Sequence, residues 1–361
     1  MNLEPKHTLF DSIDQMLAAE TLSELLSKPM AQVNCSAPSV WGNAGSKFTF
    51  VDTNAERLVL KTMSIKSDWE MFATNDHLCR SVTLWQYGLL DQVRPHLEHK
   101  ILACAHENDI WAILMQDLSG HFLLDSSEER KQELLPTFLD ALAKLHAEFW
   151  DDPHLHDSRL GLDSPRILFQ LSSPNFARQH NNDHWGWLPG GCIGGWEALK
   201  ELLEPDMMSH MQSLIDNPQP LLDALNRYPH TLLQGDAYKN NLAYKDPNQA
   251  VIVDWQLAMR SLMTIDLARI ILDFSLNPAE QAQAQAYYRK CLEGYLDKQF
   301  QDTEWQAMID LGILVEVLWI TCYMAYFIDR TEDPGFKHYA EMRVKACNKQ
   351  VRDGLRWINA S

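Results

Sequence analysis

A chain of 361 residues, 46% apolar and 22% charged, is long enough to bury one large or two moderate cores and reads as a globular protein. Lysine and arginine number 31 against 49 aspartates and glutamates, a formal charge of −18. This argues against nucleic acid or an anionic membrane as the main partner, because phosphate recognition needs a basic face. The seven cysteines are odd in number and form no CxxC pair, so they read as reduced, mostly buried thiols of a cytosolic protein. The opening Met1 to His7 lacks a basic segment followed by an apolar run, and no signal peptide is expected.

In chain order, Leu9, Phe10, Ile13, Met16 and Leu17 recur at helical spacing up to Pro29 and predict a helical cap before the first sheet. Lys47–Val51 and Leu58–Lys61 read as two strands, Asp76–Leu90 as a helix, and Ile101–Ala105 with Trp111–Met115 as another strand pair. Beyond Gln116 the chain turns helical, with one apolar stripe on Phe138, Ala141, Leu142, Leu145 and Phe149. Leu311–Ile328 is the most apolar window, but Glu316 interrupts it and it is short for a membrane span, so a buried helix is expected. Strands first and helices later predict an α+β fold with a sheet-rich lobe over residues 1–117 and a larger helical lobe over 118–361.

The segment Leu232-Leu233-Gln234-Gly235-Asp236, with Asn241 five residues on and Val253-Asp254-Trp255-Gln256 beyond, concentrates the chemistry. Leu242–Lys245 and Ala250–Val253 read as a hairpin around Asp246-Pro247-Asn248-Gln249, a turn-forming quartet. A four-residue turn would pair Lys245 with Ala250 and Leu242 with Val253, setting Asn241 opposite Asp254. An acid, an amide and a second acid gathered there can position a hydroxyl and hold Mg²⁺ through hard oxygen ligands.

This pattern resembles the catalytic core of the aminoglycoside phosphotransferase and choline kinase superfamily, relatives of protein kinases. Its hallmark is His-Gly-Asp, four residues, Asn, then a hairpin to Ile-Asp-Trp or Ile-Asp-Phe. Asp254-Trp255-Gln256 and Asp266-Leu267-Ala268 resemble most the ecdysteroid-kinase-like branch. The resemblance implies a two-lobed kinase-like fold and an ATP- and Mg²⁺-dependent kinase of a hydroxyl-bearing small molecule. Asp236 would orient or deprotonate the acceptor, and Asn241 and Asp254 would hold Mg²⁺ against the phosphates. Lys61, ending an apolar strand, would contact the phosphates. Gly42, Gly45 and Ser46 of the loop before that sheet would let backbone N–H groups approach them. Met115, Gln116 and Leu118 match the hinge where backbone groups bind adenine.

The chain departs from the pattern at three places, the first being Gln116, where the hinge usually has glutamate before its aspartate. Gln234 stands where the family has histidine, and is expected to bond backbone and preserve the loop. The helix glutamate that pairs with the strand lysine falls at Ser81, so Asp76 or Glu70 is the expected substitute. That gap sustains a second reading, a nucleotide-binding pseudokinase acting as sensor or scaffold. A protein kinase is disfavoured because no extended activation segment follows Asp254. Gly190–Gly195, near Trp185 and Trp187, is expected to be a tight turn or to shape the acceptor pocket. His146 reads as a structural histidine, and His154 and His156 as a solvated turn.

Overall fold

The computed structural model describes residues 3–30, 32–36, 42, 44–274 and 276–358. Met1 and Asn2, and Trp41 and Asn43 beside the glycine loop, lie outside them. Helix α1 (Ile13–Leu17) starts where Ser12 Oγ accepts the Gln15 amide, and α2 (Ala19–Leu26) follows. Strands β1 (Val33–Ser36), β2 (Lys47–Thr53), β3 (Arg57–Met63), the short β4 (Leu97–Glu98), β5 (Ile101–Glu107) and β6 (Ile110–Gln116) come next. All but β4 form one antiparallel sheet in the order β1-β2-β3-β6-β5. Met16 and Leu22 bury against Val51, Leu58, Leu60, Ala103 and Leu114, so the predicted cap packs on the outer face of this sheet.

Between β3 and β4 lie α3 (Trp69–Ala73) and α4 (Arg80–Gln86). The helix expected over Asp76–Leu90 is therefore much shorter. Asn75 and Cys79 take left-handed φ of 52° and 55°, and the Asp76 carboxylate caps the start by accepting the Arg80 amide at 3.0 Å. Gly88 at φ +69° follows its end.

The second part is mainly helical. It comprises α5 (Glu128–Glu148), α6 (Arg166–Leu171), α7 (Pro174–His180), α8 (Leu188–Leu202), α9 (Pro205–Asp216) and α10 (Gln219–Leu225). Then come β7 (Thr231–Leu233), β8 (Leu242–Asp246), β9 (Gln249–Ile252), β10 (Met259–Ser261) and α11 (Thr264–Asp273). Helices α12 (Pro278–Leu296), α13 (Asp302–Ile328) and α14 (Pro334–Ile358) close the chain. The whole is α+β, as the order of strands and helices predicts.

Three expectations are corrected. The hairpin closes one residue tighter, pairing Leu242 with Ile252, Tyr244 with Ala250 and Asp246 with Gln249, with a bulge at Lys245. Its cause is local: Asp246 Oδ1 accepts the Asn248 amide at 2.8 Å, so Pro247-Asn248 alone make the turn. Asn241 thus receives the Val253 amide on its carbonyl rather than facing Asp254. Gly190–Gly195 is neither turn nor loop but the first half of α8. A Cβ on Gly195 would lie 1.8 Å from the Cys322 carbonyl oxygen, so glycine there lets α8 approach the backbone of α13.

Helix α13, of 27 residues, is long and apolar enough to cross a membrane by length and composition, but most of it is buried within the fold. Glu316, wholly buried on it, is paired with Arg269 Nη1 at 3.0 Å and Arg343 Nη2 at 3.4 Å. Paired charges of this kind are the form in which a carboxylate tolerates burial.

Candidate active site

The loop leaving β7 is held from one side by α11. Asp266, fully buried, accepts the amides of Gln234 at 2.8 Å and Gly235 at 2.9 Å. Gly235 has φ +86°, and a Cβ there would meet the Leu257 carbonyl oxygen at 2.1 Å; only glycine fits. His146, also fully buried, bonds Tyr288 Oη through Nδ1 and lies 3.4 Å from Asp266 through Nε2, which makes it a support of the loop. Gln234, in the family's histidine position, donates to the carbonyls of Val253 at 3.1 Å and Asp254 at 2.6 Å. Its Oε1 accepts the Asp236 amide at 2.8 Å, so the amide ties the loop to the backbone of Val253 and Asp254, as expected.

Asp236 is oriented through both oxygens. Oδ1 accepts Arg269 Nε at 3.0 Å and Nη2 at 2.9 Å, and Oδ2 accepts Asn241 Nδ2 at 3.1 Å. Burial pushes its carboxyl up to about 7, against the pull of Arg269, with Asp254 and Glu316 adding to the rise. The Arg269 guanidinium lies 4.5 Å from the Tyr238 ring centroid and 4.9 Å from that of Trp319. One turn further along the same helix face, Asp273 accepts the Lys239 amide at 2.8 Å.

A cavity of about 380 Å³ opens between the two parts of the fold. Its apolar walls include Phe48, Val59, Ile113 and Met115, and its polar end holds Lys61, Asn241 and Asp254. Lys61 Nζ donates to Asp254 Oδ1 at 2.8 Å and Gln256 Oε1 at 3.1 Å. Burial alone would lower the pKa of this ammonium, but the Asp254 carboxylate outweighs it and raises it. Because Asn241 donates its Nδ2 to Asp236 and Lys61 takes Asp254 Oδ1, the side-chain Oδ1 of Asn241 and Oδ2 of Asp254 have no bonded donor among the described residues and are left for a cation. One amide and one carboxylate oxygen suit Mg²⁺, which completes its shell with water and phosphate. Among the described residues no group of three or more His, Cys, Asp or Glu could hold a metal by itself.

The other predicted residues divide. Met115 and Leu118 line the cavity with Gln116. The Gln116 amide is already bonded to the Lys100 carbonyl, so of the hinge donors Leu118 N–H is the one without a partner among the described residues. Gly42, Gly45 and Ser46 do not line this cavity. Gly45, at φ +111°, packs where a Cβ would lie 2.1 Å from the Ser67 carbonyl oxygen, and Ser46 Oγ donates to Asp68 at 2.6 Å. The geometry of Gly45 and Ser46 is explained by packing on the start of α3, whereas Gly42 packs on Phe48 and Ser46.

Neither expected substitute for the helix glutamate touches Lys61. Asp76 is 3.8 Å from Arg80 and caps α4. Ser81, 2% exposed, lines the cavity with a hydroxyl that has no partner among the described residues. Glu70 faces a second cavity of about 460 Å³, walled by Trp187, Tyr238, Trp319 and Phe327 and containing Asp236 and Arg269. Burial, then Asp68 and Asp254, push the Glu70 carboxyl well above the usual range. Asn240 belongs to both cavities.

Arg269, Gln256 and the aromatic wall from α13 and α14 are functional positions the sequence reading missed. For Arg269 a signal existed, since it follows Asp266-Leu267-Ala268 directly and lies one turn along the same face. The aromatic wall left none, because helices distant in sequence assemble it.

A sheet-rich part with a strand lysine, joined to a helical part that presents an acid, an amide and a second acid, defines a kinase-like phosphotransferase. Residues 41–300, well over half of the chain, match the phosphotransferase enzyme family, and the chain belongs to it. The fold is similar to choline kinase LicA of Streptococcus pneumoniae, over 94% of this chain and 99% of that one, at 13% identity and TM-score 0.52. LicA in complex with AMP is matched over 92% and 96%, with the same identity and score. A microcompartment-associated aminopropanol kinase matches over 94% and 100%, at 11% identity and TM-score 0.52. Identities this low carry the fold alone. No curated protein sequence matches the chain.

Proposed function

We propose that the chain is an ATP- and Mg²⁺-dependent small-molecule kinase that transfers the γ-phosphoryl group to a hydroxyl. One observation carries this reading. The loop 236–241 runs from one cavity to the other, with Asp236 on the wall of the aromatic cavity and Asn241 on the wall holding Lys61 and Asp254. A hydroxyl in the one is thereby presented to a phosphate in the other. Choline and aminopropanol kinases among the structural neighbours, and AMP in one of them, are in keeping with it. Asp254-Trp255-Gln256 and Asp266-Leu267-Ala268 support a place beside the ecdysteroid-kinase-like branch.

Mg²⁺, held by Asn241 Oδ1 and Asp254, would supply charge neutralisation at the phosphates. Lys61 has a third N–H directed to neither Asp254 nor Gln256, and this one would meet a phosphate oxygen. Asp236 accepts the acceptor's hydroxyl proton on Oδ2, which carries a single hydrogen bond from Asn241, while Arg269 holds Oδ1. The acceptor oxygen bonds to the γ-phosphorus as its bond to the β-phosphate oxygen breaks, and ADP leaves. The aromatic cavity fits an acceptor with an apolar or ring-shaped body, its hydrogen-bond donor turned to Glu70. The pseudokinase alternative rests on an unanchored lysine, whereas Lys61 is held at both Asp254 and Gln256.

The deciding experiment measures ADP release by purified protein with MgATP against a panel of hydroxylated small molecules. Asp236→Asn should lose turnover by about 10²–10⁴ while MgATP titration stays near wild type. ADP release with no acceptor, or release indifferent to Asp236→Asn, would refute the reading.

A further inference from the structure

We propose that Gln256 is the residue that positions Lys61 for the nucleotide, taking over the task that a helix carboxylate performs in other kinase folds. The inference rests on the nucleotide-cleft reading above and adds to it.

The helix position that should carry an acid holds Ser81, whose hydroxyl bonds nothing among the described residues. The two nearby acids are committed elsewhere, Asp76 to Arg80 and Glu70 to the aromatic cavity. Yet Lys61 is 4% exposed and well ordered in its bonding, so something other than those acids fixes it. Asp254 is one partner, but a carboxylate that must also receive Mg²⁺ cannot by itself define where the ammonium rests. Gln256 is the other, and it is free of that duty.

The side chain is placed for the role. Its Oε1 accepts Lys61 Nζ at 3.1 Å, and its Nε2 donates to Asp68 Oδ1 at 2.6 Å. Asp68, fully buried, also accepts Ser46 Oγ at 2.6 Å and the Met71 amide at 3.0 Å. Its charge therefore polarises the glutamine amide toward Lys61 without contacting the lysine. The backbone is fixed as well, because Arg80 Nη1 donates to the Gln256 carbonyl at 3.3 Å and Arg80 Nη2 to the Thr74 carbonyl at 2.9 Å. Gln256 is 2% exposed, and a buried amide this fully bonded has one orientation. The resulting chain, Lys61 to Gln256 to Asp68 to Ser46, joins the phosphate lysine to the loop ahead of β2. A neutral amide backed by a buried carboxylate thus does from the metal strand what a charge does from the helix.

The test is a double-mutant cycle on MgATP affinity, read by titration calorimetry and needing no acceptor. Gln256→Leu removes the bond at similar volume, and Gln256→Asn keeps the amide but shortens its reach. Each should weaken MgATP about tenfold, the order of one hydrogen bond to a charged group. In a Lys61→Ala background, Gln256→Leu should add nothing. If Lys61→Ala weakens binding but neither Gln256 variant does, this inference fails and the cleft reading stands. Equal losses in both backgrounds would also overturn it, since Gln256 would then act through the fold. If Lys61→Ala has no effect, both readings fall. Should Gln256→Leu not fold, the Gln256→Asn cycle decides alone.

Discussion

A carboxylate proposed to take a proton must be held still without being permanently neutralised, and Asp236 is held by an arginine that is itself shared. Arg269 divides its guanidinium between Asp236 and the buried Glu316. Arg269→Met would strand Glu316, whose remaining partner Arg343 is 3.4 Å away. Breaking such a buried pair costs about 3–5 kcal/mol, which chemical denaturation should register, together with a fall in kcat. Glu70 is the second residue to test. Its carboxyl faces the aromatic cavity, and Glu70→Leu, which removes the accepting oxygens, should raise the acceptor KM about tenfold with MgATP affinity unchanged. A shift in MgATP affinity instead would assign Glu70 to the nucleotide. On the metal side, Asp254→Ala should abolish Mg²⁺-dependent nucleotide binding, measured by calorimetry with and without the cation. Ser81→Ala, which removes an unpartnered hydroxyl, should leave it intact.

At the scale of elements, α11 acts as a jig for the loop 234–239. Asp266, Arg269 and Asp273 fall at i, i+3 and i+7, one helix face, and bond the amides of Gln234 and Gly235, the Asp236 carboxylate and the Lys239 amide in turn. Asp266→Ala leaves two buried amides unpaired, about 1–3 kcal/mol each. It should lower both the unfolding midpoint and kcat more than Asp273→Ala, which frees one. Equal effects would mean that the face does not grade the loop's order. Asp266 was legible in the sequence because its motif names it, and so were the β2, β3, β5 and β6 strands, whose apolar runs sit between turn residues. The hairpin register was not. Whether Asp246 closes a two-residue or a four-residue turn depends on its side chain capturing the Asn248 amide, which composition does not reveal. Nor was the Gln256 bond legible, since its partners Lys61 and Asp68 lie 195 and 188 residues away.

Over the whole molecule, the glycines of α8 show how pattern misleads when contact decides. A run rich in glycine reads as loop, yet here close approach to α13 keeps it helical. Gly195→Ala would drive a methyl into the Cys322 carbonyl and should cost about 3 kcal/mol, visible as a lower thermal midpoint; an unchanged midpoint would refute that contact. The Leu311–Ile328 window was read correctly as buried because Glu316 broke it, though its two arginine partners could not be foreseen.

The family match ends at residue 300, yet Trp319, Tyr323, Phe327, Phe336 and Tyr339 of the aromatic cavity all come after it. Asp236, Asn241, Asp254, Lys61 and Gln256 all come before it. Trp187 and Tyr238 come before it too, so on the proposed reading only the part of the acceptor wall that α13 and α14 supply lies apart from the machinery. A lineage could rewrite the last two helices, exchanging one clientele for another, while the inherited engine ran on unaltered.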